Sequence, residues 1–340
     1  MEAGRTNLNV IIVGFGFIGR KLVRAFYKKI DLIRNVDASF KVIGVSDSKG
    51  YLYDSKGLDL ERLSYVKRLS EYSGKYREGG STEEIIEKGE ADLMVEATPT
   101  NINDGEPGLS FIKAALKKGI HVVTSNKGPL VVAFKELTSL AEKNDCLLLY
   151  EGTVAGAIPV FSLVRKCLQG DTIRRIVGIL NGTTNYILSR MYFEGTSFEL
   201  ALKEARERGL TERDPSYDVD GIDAACKAVI LANALMNRNV KFEDVKRTGI
   251  RRVTQEAISL AKKSKFAIKL ISTIDKHIEV SPKLVPINHP LCVHGTLNAI
   301  HIETDLAREI TLIGHGAGEE TVSAVLNDVL TVMKETASPI

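Results

Sequence analysis

The stretch Asn9-Val-Ile-Ile-Val-Gly-Phe-Gly-Phe-Ile-Gly19 decides the fold of the first half of the chain. Its opening residues, through Val13, form a short apolar run that reads as a buried strand. Gly14, Gly16 and Gly19 follow at G-x-G-x-x-G spacing. Downstream, Leu22, Val23, Phe26, Ile30 and Ile33 recur at helical spacing between Arg20 and Arg34. Phe40 to Val45 is a second strand that ends in Ser46 and Asp47. Glycine triplets arise by chance, and a purely structural turn is the competing reading. Here the triplet directly follows a strand and opens a helix, which is the context a dinucleotide requires. The first glycine permits the tight turn, the second lets the backbone approach a pyrophosphate, and the third allows close helix–strand packing. The helix N-terminus adds unpaired N–H groups and the positive end of its dipole.

An acidic residue at the end of the second strand takes ribose hydroxyls in such folds. Asp47 occupies that place and favours NAD. Ser48 and Lys49 beside it can accommodate the extra phosphate of NADP, so both cofactors stay open.

Working outward, Tyr51 to Gly80 is polar and charged and reads as a surface excursion with one helix near Asp59 to Leu69. Ser81-Thr-Glu-Glu84 is a helix-start signal. Strands are expected at Asp92 to Ala97, Ile120 to Thr124 and Cys146 to Tyr150, alternating with helices at Leu109 to Lys118 and Pro129 to Lys143. This alternation predicts an α/β fold with an N-terminal Rossmann domain, a doubly wound parallel sheet. The pattern changes after Tyr150. Strands at Arg174 to Leu180, His277 to Val285 and Gly295 to Thr304 mix with helices at Ala224 to Met236 and Val253 to Ala261. A second, α+β domain is therefore expected at about 151–313. The helix at Glu319 to Lys334 would return to the first domain, which then comprises 1–150 and about 314–340.

Composition narrows the function classes. The net charge of +3 over 340 residues, without a run of Lys and Arg, argues against nucleic-acid binding. No apolar run approaches a bilayer span, and Met1 to Asn9 lacks a signal-peptide core, so a cytoplasmic protein without membrane association is expected. The four cysteines, Cys146, Cys167, Cys226 and Cys292, form no C-x-x-C pair and read as reduced thiols.

Four further segments carry chemistry. Ala97-Thr98-Pro99-Thr100 and Thr124-Ser125-Asn126-Lys127-Gly128-Pro129 lie at the C-terminal ends of parallel strands, the edge where ligands bind in open α/β sheets. Lys127 on that edge would face a cofactor rather than bulk water. Glu151-Gly-Thr-Val-Ala-Gly-Ala-Ile-Pro159 has small residues that leave carbonyls accessible. It can hold a hard cation or make a tight interdomain joint. Gly209 to Lys227 is acidic and leads into an apolar helix. Asp223 and Lys227, four residues apart, share one face of it among small and apolar neighbours. A lysine so placed can exchange protons, although an ordinary ion pair has the same spacing.

Together these segments resemble homoserine dehydrogenase. The likeness runs through nearly the whole chain, and Asn181-Gly-Thr-Thr-Asn-Tyr186 and Asp214-Pro with Asp223 and Lys227 are its most specific parts. Gly314-His-Gly-Ala-Gly318 fits as well. The resemblance implies reversible hydride transfer between L-homoserine and L-aspartate 4-semialdehyde with NAD or NADP, on the route to threonine, methionine and isoleucine. It implies that Phe15, Phe17 and Ile18 with the loop glycines touch the pyrophosphate and that Thr98 and Ser125 line the nicotinamide side. Lys127 would sit between cofactor and substrate. Glu212, Asp218 and Asp223 would surround the substrate's amino group, and Lys227 would donate and accept the proton. Glu151 with the carbonyls of Val154, Gly156 and Ile158 matches a sodium site, and Gly318 returns to the cofactor. A homodimer built through the second domain is implied. Over these 340 residues neither the family's frequent C-terminal ACT module nor a fused aspartate kinase is expected, and so neither is feedback control through such a module.

Two rival readings share parts of this pattern. An aspartate-semialdehyde dehydrogenase-like enzyme needs an activated cysteine nucleophile. A non-catalytic dinucleotide sensor needs only the glycine loop.

Overall fold

A computed structural model describes residues 8–36, 40–72, 74–211, 213–316 and 318–337. The first seven residues, part of the N-terminal stretch read above, and Glu212 lie outside them. The chain divides into two units, Met1–Thr153 with Gly318–Ile340, and Val154–Ala317.

The first unit is built on a seven-stranded sheet. Its strands are β1 (Leu8–Val13), β2 (Phe40–Asp47), β3 (Gly50–Tyr53), β4 (Tyr76–Glu78), β5 (Leu93–Glu96), β6 (His121–Thr124) and β7 (Leu148–Leu149), in the order β4-β3-β2-β1-β5-β6-β7. The strands β2, β1, β5, β6 and β7 are mutually parallel. From β1 the chain first builds outward to β2 and later returns to β5 on the other side. The order therefore reverses between β1 and β5, which opens a crevice at their C-terminal ends. Val10, Ile12, Leu22, Val23 and Phe26 are fully buried in one core with Val325, Val329 and Val332 of the helix Glu319–Ala337.

The segment from Tyr51 to Gly80 corrects the sequence reading. It is not only a surface excursion: β3 and β4 extend the sheet as antiparallel strands, and the helix is limited to Leu60–Tyr65. Tyr51, Leu52, Leu63, Leu69 and Tyr72 are buried, so the charged residues between them form only the outer face. The first helix also stops sooner than its apolar spacing suggests. Phe17–Lys28 ends at Lys29, and a separate short helix covers Ile30–Arg34.

The second unit has a six-stranded sheet in the order β13-β12-β8-β10-β11-β9. The strands are β8 (Ile173–Ile179), β9 (Lys246–Arg247), β10 (Phe266–Ile274), β11 (Ile278–Pro286), β12 (Leu297–Thr304) and β13 (Glu309–His315). Apart from the parallel β9–β11 pair, neighbours run antiparallel. The helices Gly182–Glu194, Ile222–Leu235 and Gln255–Lys263 pack on β10. The helix Ile222–Leu235 is buried on all sides from Asp223 to Asn233. No helix among the described residues is long and apolar enough to cross a membrane.

Candidate active site

The glycine loop sits at the crevice between β1 and β5. Gly14 has φ +102°, and a Cβ there would lie 2.5 Å from the Ala97 carbonyl oxygen, so only glycine lets the loop pass this close to the end of β5. Gly19 is packed against the Gly14 carbonyl with no room for a side chain. Gly16 is different: a Cβ there would meet no protein atom within 4 Å. The first and third glycines are thus required by the protein's own packing, whereas the second leaves an open approach to the backbone. Helix Phe17–Lys28 begins here with no side-chain cap and no acidic residue in its first turn. Its first amides suit the pyrophosphate of a dinucleotide, and the loop fits such a cofactor. Phe15 is buried in the core, so only its backbone lines the loop, while Phe17 is half exposed. Asp47 closes the β2–β3 turn, its Oδ1 accepting from the amides of Lys49 at 2.8 Å and Gly50 at 3.1 Å.

At the ends of β5 and β6, Thr98, Thr124, Asn126 and the Ser125 amide come together around a residue that sequence reasoning missed. Glu96 is fully buried. Its Oε1 accepts from the Thr98 amide at 2.8 Å, from the Thr98 hydroxyl and from Asn126 Nδ2 at 3.4 Å, and its Oε2 accepts from Thr124 Oγ1 at 2.7 Å. Burial pushes this carboxyl up from the usual carboxylate range, against the pull of those donors. Asn126 caps the helix Lys127–Lys143 by accepting from the Gly128 amide at 3.0 Å. Lys127 is the first residue of that helix, where a cation is disfavoured by the helix dipole. Its position therefore does not follow from helix stability.

Glu151 is buried, and its amide donates to Asp328 Oδ2 at 2.8 Å. In the second unit, Val154 and Ile158 are buried, and Gly156 packs with φ +54° on the backbone of Gly316. The amide of Val160 donates to the Ile158 carbonyl at 2.8 Å. Gly318 has φ +86° and lies just before the helix Glu319–Ala337 of the first unit.

The second unit assembles the acidic segment around Asn181. Asn181 caps helix Gly182–Glu194 through its Oδ1, which accepts from the Thr184 amide at 2.9 Å. Its Nδ2 donates to Asp218 Oδ1 at 2.7 Å and Asp223 Oδ2 at 3.0 Å. Thr211 Oγ1 donates to Asp218 Oδ2 at 2.7 Å. Lys227 Nζ donates to the Leu180 carbonyl at 2.6 Å and pairs with Asp223 Oδ2 at 2.7 Å. Both side chains of that pair are 8% exposed, so this is not the solvated helix-face pair its spacing also allows. Burial raises the Asp218 carboxyl above the ordinary aspartate range. Tyr217 lies beside the cluster and donates to Cys226 Sγ at 3.7 Å, and burial pushes its phenol up. The sequence motif contained Asn181 but gave no sign of its partners, 37 and 42 residues away.

Cys226 is buried, Cys167 is exposed, and burial raises the thiol of Cys146. Cys292 has a basic neighbour, His294 Nε2 at 3.9 Å, but burial still holds its thiol above the ordinary range.

The chain matches the family model for homoserine dehydrogenase over residues 159–330, and that for the homoserine dehydrogenase NAD binding domain over residues 14–151. A homoserine dehydrogenase of Methanocaldococcus jannaschii is 45% identical over 335 residues, covering 97% of this chain and 99% of that protein. An NAD(+)-dependent homoserine dehydrogenase of Pseudomonas canavaninivorans is 34% identical over 343 residues, covering 96% of each. Among solved structures, a hyperthermophilic archaeal homoserine dehydrogenase in complex with NADPH is 31% identical with a TM-score of 0.82, covering 98% of this chain and 99% of that one. With two family models spanning most of its length and relatives aligned nearly end to end, the chain belongs to the homoserine dehydrogenase family.

Proposed function

We propose that this protein oxidises L-homoserine reversibly to L-aspartate 4-semialdehyde with NAD or NADP, in threonine, methionine and isoleucine biosynthesis. The observation that carries the proposal is the buried Asp223–Lys227 pair, bonded to Leu180 and Asn181, in a member of this family. A bound nicotinamide supplies the hydride acceptor. Gly14, Gly16 and Gly19, with the backbone of Phe15, Phe17 and Ile18, hold its pyrophosphate. Asp47 takes the adenosine ribose, Thr98 and Ser125 line the nicotinamide end, and Gly318 adds a further cofactor contact.

Oxidation removes a hydride from the alcohol carbon and a proton from its oxygen. Lys227 Nζ takes that proton in oxidation and returns it in reduction. In the ammonium form, the donor in reduction, Leu180 and Asp223 take two of the three N–H groups and the third is assigned to the substrate carbonyl oxygen; in oxidation the neutral amine presents its lone pair at that place and receives the hydroxyl proton. Lys127 stabilises the developing alkoxide charge. Glu212, Asp218 and Asp223 bind the substrate ammonium by charge-assisted hydrogen bonds. A sodium ion on Glu151 and the carbonyls of Val154, Gly156 and Ile158 belongs to the same proposal, since a hard cation suits oxygen donors. So does a homodimer built through the second unit. Strand β13 is an edge of the six-stranded sheet, the kind of strand that a second copy can extend. Steady-state turnover of L-homoserine against NAD and NADP tests the reading.

A further inference from the structure

Glu96 has no assigned part in the reaction, yet it is a wholly buried acid at the C-terminal end of a parallel strand. Such burial is expensive unless the group is bonded, and this carboxyl accepts four hydrogen bonds from three residues on two strand ends. The bonds are directional. The Thr98 hydroxyl turns inward to Glu96 while accepting from Asn126 Nδ2 at 3.2 Å. Thr124 Oγ1 donates to Glu96 and accepts from the Asn126 amide at 2.9 Å. The amide of Ser125 donates to the Glu96 backbone carbonyl at 3.3 Å. One residue thus fixes the turn after β5 to the turn after β6. Close packing surrounds it: a Cβ on Gly108 would lie 3.1 Å from Glu96 Oε1 and 2.7 Å from Asn126 Nδ2.

We infer that Glu96 is a positioning residue for the nicotinamide half of the cofactor, holding Thr98 and the Ser125-Asn126-Lys127 turn in register across β5 and β6. In a doubly wound sheet the dinucleotide crosses the switch point, with its adenosine at the end of β2. Its other half then lies over the ends of β5 and β6, directly above this network. Loosening the network should therefore weaken one end of the cofactor and leave the other alone.

The inference rests on the proposed dehydrogenase activity, and binding measurements separate the two. The full-length Glu96→Ala and Glu96→Gln variants are titrated with NADH or NADPH, whichever the wild type binds more tightly, and with ADP-ribose, and are assayed with L-homoserine. Loss of the acceptor leaves buried donors unpaired, so Glu96→Ala should bind the whole dinucleotide about tenfold more weakly, with ADP-ribose within about twofold of wild type. Its kcat should fall as well. Gln keeps an acceptor for Thr98 and Asn126, so Glu96→Gln should recover most of the dinucleotide affinity. Should Glu96→Ala fail to fold, Thr124→Val removes one donor without changing shape and should show the same split at smaller size. Unchanged dinucleotide affinity in the folded variants, or equal weakening of both ligands, overturns the inference. A wild type that binds dinucleotide but does not turn over homoserine overturns the proposed function alone, because the binding split is read without turnover.

Discussion

Lys227 Nζ lies 2.7 Å from Asp223 Oδ2, with both side chains 8% exposed and one helical turn apart on Ile222–Leu235. Removing one member of a buried pair leaves an uncompensated charge, which destabilises by about 3–5 kcal/mol, far more than a surface pair contributes. The same closeness holds Lys227 Nζ in one place, as the proposed proton-carrying role requires and as a mobile surface amine would not be held.

Stability and catalysis at this pair can therefore be separated. Lys227→Met should lower the stability of the second unit by about 3 kcal/mol and homoserine turnover by at least about a hundredfold. Lys227→Met with Asp223→Asn removes the stranded charge and should recover much of the stability but none of the turnover. Urea unfolding and steady-state assays of the three proteins check this. Recovery of turnover in the double variant contradicts the role given to Lys227.

The glycine loop makes a paired prediction. Gly14→Ala forces a side chain at φ +102° into the Ala97 carbonyl and should destabilise the first unit by more than about 1 kcal/mol. Gly16→Ala meets no protein atom, so its melting temperature should stay within about a degree or two of wild type. Dinucleotide affinity should nevertheless drop, because the added methyl fills the approach to the backbone. Equal dinucleotide affinity in Gly16→Ala and wild type contradicts the placement of the pyrophosphate.

Asp218 supplies a pH signature. Burial raises its carboxyl above the ordinary value of 3.8. A group raised in the folded state contributes stability that is complete below its unfolded pKa and lost as pH rises through the folded one. Wild type should thus be most stable relative to Asp218→Asn at low pH and lose that advantage as pH climbs above the ordinary aspartate range. Urea midpoints across the acid-to-neutral range measure it. A difference that stays flat or grows with pH contradicts the burial argument. Asp218→Asn should also raise the KM for homoserine.

The cysteines test the aldehyde-dehydrogenase alternative. Iodoacetamide should label the exposed Cys167 first and leave the buried Cys226 intact in the folded protein. Homoserine turnover should survive this labelling. Loss of activity in step with modification of one thiol would restore a thiol nucleophile to consideration.

How much of this was legible depended on the range of the interactions. The strand, glycine loop and helix from β1 through Lys28 are local, and periodicity with three glycines shows them directly. The parallel strands β5 and β6 appear as short apolar runs for the same reason. Strands β3 and β4 do not, because Tyr51 and Leu52 are an isolated apolar pair in charged surroundings and their partners lie elsewhere in the sheet. Strand β10 hides a lysine among its buried residues: Lys269 bonds to Asn185 Oδ1 at 2.8 Å, a pairing across 84 residues. The Asp223–Lys227 pair is visible at helical spacing, but its burial and its tie to Asn181 are not. Glu96 is the clearest omission. Within Leu93–Glu96 it reads as the polar end of a strand, and only the donors of Thr124 and Asn126, 28 and 30 residues on, make it the centre of a network.

The most direct measurement is initial-rate reduction of NAD and NADP, in parallel, by wild type and Lys227→Met with L-homoserine as the only alcohol. The wild type should reduce at least one cofactor with saturation in homoserine, and Lys227→Met should bind that cofactor with unchanged affinity yet turn over at least about a hundredfold more slowly. A wild type that binds the dinucleotide but reduces neither form with homoserine, or a Lys227→Met enzyme with near-normal turnover, would contradict the account.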